Sequence, residues 1–130
     1  MGDKRGVAIL GIFVADLAFR AARQPRMGET LLGSGFKMGP GGKGSNQAVA
    51  AARAGARVTF ISALGRDAFG DNAIATWKAE GITPRLTLSD SEPAGAAYIF
   101  VSDETVDLAF FGPVGRSETV GRFFHLATVF

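Results

Sequence analysis

A cluster of glycines running directly into an alanine-rich stretch, GPGGKGSNQAVAAARAGA from residue 39, constrains the fold of this chain more than any other feature. Five glycines fall between positions 35 and 44. They allow positive φ and let the backbone approach another group closely. The alanines that follow favour helix, with Ser45 and Asn46 in the expected first turn and Gly55 as the expected terminator. The pattern predicts a glycine loop that opens a helix. The unpaired N–H groups and positive end of such a helix point at whatever lies before it.

Apolar runs flank this element. Residues 7–14 (VAILGIFV) are continuously apolar and read as one strand covered on both faces, with Asp16 just past its end. Residues 28–38 are punctuated by glycine and read as one or two short strands with a turn. Residues 58–62 (VTFIS) predict a second buried strand. Asp67 is the expected cap of a helix over residues 67–80, in which Phe69, Ala73, Ile74 and Trp77 form one buried stripe, and Gly81 ends it. Residues 85–88 give a weak strand and residues 96–101 (AAYIFV) a stronger one. The order strand, glycine loop, helix, strand, helix, strand indicates an α/β fold with a largely parallel sheet.

Composition narrows the function classes. The 130 residues fit one domain, and 47% hydrophobic content argues against disorder. No uncharged apolar run reaches the ~18 residues of a spanning helix, so no membrane partner is expected. Lys4 and Arg5 ahead of the first apolar run resemble a secretion signal, but Asp16 interrupts that run and no small-residue cleavage site follows. A strand in the cytoplasm is the expectation. Cysteine is absent, which excludes disulfides and thiolate metal sites. The 14 lysines and arginines are scattered rather than gathered in a stripe, so nucleic acid is not an expected partner. His125 is the only histidine, and neither a metal site nor a histidine-based triad is expected. Five of the eleven phenylalanines lie after residue 109, where periodicity lapses beyond residues 106–111. Residues 106–130 are therefore read as a divergent tail, either docked on the core or produced by truncation or frameshift.

The candidate binding groups surround the glycine cluster. Lys43 supplies a mobile cation, and Asn46 offers both donor and acceptor. Asp16 is able to accept two hydroxyl hydrogen bonds, each charge-assisted. This set suits a hydroxyl-rich or anionic small molecule. A Walker A loop fails because Gly44, not Ser or Thr, follows Lys43. Gly39, Gly41 and Gly44 do match G-x-G-x-x-G, which keeps an NAD(P)-dependent oxidoreductase as an alternative. The context is poor, since the preceding strand carries Lys37 and the later acidic residue is at best Asp67. A protein-kinase glycine loop joins two strands and is excluded by the helix.

Taken together, the strand before Asp16, PRMGETLLGSGF, GGKGSNQAVAAARAGA and ISALGRDAFGD resemble the N-terminal part of the PfkB carbohydrate kinase family, which includes ribokinase. Gly41, Gly42, Gly44, Asn46, Ala48, Gly55 and Gly65 match the family's first signature in register. The resemblance covers residues 6–104 and sets residues 1–105 as the sugar-binding part. It implies a ribokinase-like three-layer α/β/α sandwich with a small β-sheet lid, of which the C-terminal half would be missing. Residues 33–38 and 96–101 would be lid strands, which in relatives close over the sugar and often dimerise. The implied activity is ATP- and Mg2+-dependent phosphorylation of a primary hydroxyl on a sugar or nucleoside. Carried over by position, Asp16, Gly41, Gly42, Lys43 and Asn46 would bind the sugar, and Ala97 and Ile99 would line the lid side.

Two departures from the family pattern matter. Val14 stands where ribokinases commonly carry an asparagine sugar contact. Members also run well beyond the length of this chain, so the catalytic base and ATP site would lie past Phe130. No catalytic residue is expected here, and the chain alone is expected to be inactive. A non-catalytic sugar-binding or dimerisation module built from the lid is the remaining alternative.

Overall fold

The computed structural model describes residues 6–111, in the order β1 (Gly6–Leu10), β2 (Val14–Arg20), β3 (Gly35–Gly41), α1 (Lys43–Arg53), β4 (Arg57–Gly65), α2 (Ala68–Ala79), β5 (Thr83–Ser89), β6 (Gly95–Val101) and β7 (Val106–Phe111). Lys4, Arg5, His125 and the tail from residue 112 lie outside these residues, and with them the expectations that rest on those positions.

The strands form two sheets rather than one. A three-stranded parallel sheet has the order β1-β4-β5, and a four-stranded sheet has the order β3-β2-β6-β7. In the second, β2 and β6 run parallel while β3 and β7 are antiparallel to their neighbours. The parallel pairing expected from element order holds for the three-stranded sheet, and mixed pairing is confined to the four-stranded one.

Both helices cover one face of the parallel sheet. Alternation along β4 buries Val58, Phe60, Ser62 and Leu64 and leaves Arg57 and Ile61 exposed. The buried set packs with Ala48, Val49, Ala51 and Ala52 of α1 and with Phe69, Ala73, Ile74 and Trp77 of α2. Right-handed crossovers that step the same way along a sheet place their helices on the same side. The described residues therefore supply two layers of the sandwich, and the third layer is not among them.

The helix ends follow local chemistry. Asp67 caps α2 by accepting from the Gly70 N–H at 2.9 Å, as its position predicts. Its other carboxylate oxygen accepts from the Ala94 N–H at 2.7 Å, tying the root of β6 to the helical layer. Arg53 at the end of α1 donates to Glu80 at the end of α2, with Nε to Oε2 at 2.9 Å.

The apolar run over residues 7–14 is not one strand. The chain leaves the parallel sheet after Leu10 and enters the four-stranded sheet at Val14. A Cβ on Gly11 would stand 2.8 Å from the Cα of Gly44, so α1 crosses the connection glycine against glycine. Asp16 consequently sits inside β2 instead of beyond the end of a strand. A second difference concerns the glycine cluster. Residues 35–41 are strand, and only Gly42 separates β3 from α1. Pro40, which lacks an N–H, is tolerated because β3 is an edge strand. The lid strand predicted over residues 33–38 is thus shifted to Gly35–Gly41, while residues 28–34 form no strand. β7, placed by sequence in the tail, completes the four-stranded sheet beside β6.

Candidate active site

The site is built where β2, β3, β6 and the start of α1 meet. Asp16 pairs with Gly39 on one side and with Ala97 on the other. Residues directly opposite in neighbouring strands share a face. Asp16, Ala18, Lys37, Gly39, Gly41, Ala97 and Ile99 therefore lie on one face of the four-stranded sheet. The register places Ala97 opposite Asp16 and Ile99 two residues further along the same face.

The Asp16 side chain leans across β3. A Cβ added to Gly41 would overlap the Asp16 carboxylate. Glycine at position 41 therefore leaves the carboxylate its place, and a larger residue would turn the Asp16 side chain away. Gly42 follows with φ 92° and serves as the N-cap of α1. A Cβ there would meet the Ile12 carbonyl oxygen and stand 3.1 Å from the Phe13 Cα. Both the left-handed backbone and the close approach demand glycine at this position.

Helix α1 begins at Lys43 without a side-chain cap, and its first backbone bond runs from the Asn46 N–H to the Gly42 carbonyl at 2.9 Å. The N–H groups of Lys43, Gly44 and Ser45 precede that bond, at the positive end of the helix. Lys43 and Asn46 are exposed. Among the described residues, neither side chain, nor that of Asp16, makes a hydrogen bond to another residue. The Asp16 carboxyl is half-buried, and burial pushes its pKa above the ordinary aspartate value of 3.8. An acceptor-only group is thus desolvated without any protein donor to satisfy it.

One contact supporting this site was not legible in sequence. Trp77 Nε1 donates to Ser45 Oγ at 2.9 Å in the core. Trp77 lies on the predicted buried stripe of α2, but nothing in the spacing pairs it with Ser45.

The dinucleotide alternative does not survive the fold. Gly39 and Gly41 belong to β3, an edge strand antiparallel to β2, so no turn from a parallel strand into a helix carries the G-x-G-x-x-G pattern. The family model for pfkB family carbohydrate kinases matches residues 4–123. The chain belongs to this family. The match runs past residue 105, where sequence reading sets the end of the sugar-binding part.

Among curated pfkB-type relatives, ribokinase of Bacillus subtilis (strain 168) is 37% identical over 100 residues, covering 76% of this chain and 34% of that protein. Deoxyribokinase of Salmonella typhimurium is 39% identical over 97 residues, covering 74% of this chain and 32% of its own. The structure of ribokinase from Giardia lamblia superimposes with a TM-score of 0.77 at 32% identity, covering 82% of this chain and 36% of the other. Arabidopsis thaliana ribokinase complexed with ribose and ATP gives 0.74 at 26% identity, with coverages of 82% and 36%. The chain spans about a third of the length of these relatives.

Proposed function

We propose that this pfkB-family chain is the sugar-binding part of a carbohydrate kinase that moves a phosphoryl group from ATP to a hydroxyl of a sugar or nucleoside. The carrying observation is the Asp16 carboxylate, held over Gly41 beside the start of α1 and lacking a protein donor. Two adjacent sugar hydroxyls donate to that carboxylate, one to each oxygen. Lys43 and Asn46 face the polyol from the helix start, where the backbone at Gly41 and Gly42 permits close approach. Ala97 and Ile99 pack against the C–H face of the sugar, and Val14 offers no side-chain hydrogen bond at its position. Residues 1–105, extended by β7, make up this part, and the working compartment is the cytoplasm. No described helix is long and apolar enough to cross a membrane.

ATP and Mg2+ supply the phosphoryl group and charge neutralisation in such a reaction. Among the described residues, no group of three or more His, Asp or Glu side chains is arranged to hold a metal ion. The glycines of the cluster lie in paired strand and at the helix start rather than in a phosphate loop. These residues do not fit either group, and their role is to bind and orient the sugar.

Calorimetric titration of the chain with D-ribose, 2-deoxy-D-ribose and NADH tests the reading. Sugar binding that disappears in Asp16→Asn, with no NADH binding, is the expected result. Binding of NADH alone, or sugar binding indifferent to Asp16→Asn, would overturn it.

A second feature favours self-association through the lid. On the face opposite Asp16, Phe19 stacks on Tyr98 at 5.5 Å and contacts Phe36 at 5.0 Å, and Phe36 and Met38 are exposed. A contiguous aromatic patch of this kind is characteristic of an interaction surface. Sedimentation equilibrium is expected to show a dimer that Phe36→Lys dissociates, and a monomer at every concentration would refute it.

A further inference from the structure

Trp77 is the only tryptophan of the chain, fully buried in α2, a helix that contributes no group to the proposed sugar site. Its contacts nevertheless reach both segments that do. The indole Nε1 donates to the Ser45 hydroxyl at 2.9 Å, and Ser45, also fully buried, is the third residue of α1 between Gly44 and Asn46. The same ring meets Phe13 edge-on, with centroids 5.7 Å apart and planes at 85°. Phe13 immediately precedes β2, the strand that carries Asp16. A third contact, to Phe60 at 4.9 Å, seats the ring on the central strand of the parallel sheet.

Packing alone does not require the polar part of this arrangement. An aromatic ring without an N–H would fill most of the same space against Phe13 and Phe60. A buried neutral hydrogen bond adds little net stability, yet it is directional and costly to leave half-made. Direction matters at this end of α1. The helix has no side-chain cap, its N-cap is Gly42, and its second residue is Gly44, so the local chain is intrinsically permissive. The Ser45–Trp77 bond is the one side-chain hydrogen bond recorded from residues 43–46 to the rest of the described molecule.

We infer that Trp77 is a positioning residue: through Ser45 and Phe13 it fixes the first turn of α1 against the start of β2, setting the gap between Asp16 and the Lys43–Asn46 pair. This rests on the sugar-binding reading of those three residues. Neither Trp77 nor Ser45 touches the sugar.

The test uses the 130-residue chain with Trp77→Phe, Ser45→Ala and the double variant. D-ribose affinity is measured by calorimetry, thermal midpoint by circular dichroism, and exchange of the Asn46 amide by NMR without sugar. Each single variant is expected to weaken ribose binding by about threefold to tenfold, the range that one neutral hydrogen bond supplies. Asn46 exchange is expected to accelerate relative to the middle of α1. The double variant removes both polar partners, so its thermal midpoint is expected to recover while affinity and Asn46 protection stay reduced. Recovery of all three in the double variant, or no change of Asn46 exchange in either single, overturns the inference and leaves Trp77 as core filling. Should the unmodified chain fail to bind ribose, the sugar-binding reading falls, and the Asn46 exchange measured without sugar still decides the positioning role.

Discussion

The carboxylate of Asp16 occupies the volume in which a β-carbon of Gly41 would stand. The antiparallel register sets Asp16 opposite Gly39 and Gly41 opposite Val14, so the carboxylate reaches Gly41 diagonally along β3. Strand pairing and glycine content act together here. The first brings the acid to the helix start, and the second leaves room for it.

Gly41→Ala is accordingly expected to push the carboxylate out of place. The carboxylate ends a side chain that is able to turn, so the stability loss is expected to fall below the ~1–3 kcal/mol usual for overpacking a core. Urea denaturation reads that loss, and ribose titration should show binding abolished. Unchanged stability together with unchanged affinity would mean that the carboxylate swings aside freely.

Asp16→Asn is expected to separate function from stability. Burial raises the pKa of Asp16 in the folded chain above its ordinary value of 3.8. The folded state therefore holds the proton more tightly than the unfolded state, and stability falls as pH rises from that value through the raised pKa. Well below pH 3.8 the acid is protonated in both states and contributes no difference. Asp16→Asn should thus melt higher than the parent at pH 7, with the gap closing in strong acid, while losing sugar affinity. A lower melting temperature at pH 7 would contradict the desolvation argument.

Gly42→Ala and Gly55→Ala form an informative pair. Both glycines have positive φ, 92° and 89°, but only Gly42 has backbone against its side-chain position, whereas Gly55 faces open space. The left-handed helical well costs a residue with a side chain about 1–2 kcal/mol, and Gly42, with ψ 129°, stands outside even that well. Gly42→Ala is expected to destabilise by clearly more than that, because Ile12 must also move. Equal losses in chemical denaturation would show that the crossing of residues 11–13 with α1 yields without cost.

The β2–β3 connection carries its own acid-sensitive clasp. Arg23 holds both carboxylate oxygens of Glu29 at 2.7 Å, and the Arg26 N–H donates to the same carboxylate at 2.8 Å. The Arg23 hydrogen bonds, aided by that N–H, lower the Glu29 pKa to about 2 from 4.5. A depressed acid stabilises above its unfolded value, so the clasp is complete above pH 4.5 and is lost as pH falls toward 2. Carbon-detected NMR titration of Glu29 should give a midpoint near 2, with protection of the Arg26 amide lost over the same interval. A midpoint at the free glutamate value would show that the pair does not form in solution.

Much of this molecule is written locally. The alanine run predicts α1, the Asp67 cap and the Phe69–Trp77 spacing predict α2, and Gly55 and Gly81 take the positive φ that ends each helix. The chemistry of Asp16, Lys43 and Asn46 also reads from residue type and proximity to the glycines. Two things did not read. The apolar run over residues 7–14 gives no sign of where it leaves one sheet for another, because Ile9 in β1, Phe13 in the connection and Val14 in β2 are all apolar. The glycine cluster reads as loop because glycine weakens strand propensity, whereas edge pairing with β2 is enough to keep it extended.

The sequence by itself determined the helices, the Asp67 cap and the glycines that end each helix, since each depends on residues a few positions apart. Tertiary structure alone decided that Asp16 belongs to the four-stranded sheet, that Ala97 and Ile99 share its face, and that Trp77 reaches Ser45. Those facts depend on register and crossing between segments tens of residues apart. A two-residue alternation marks which side chains share a face, but it carries no record of the partner strand.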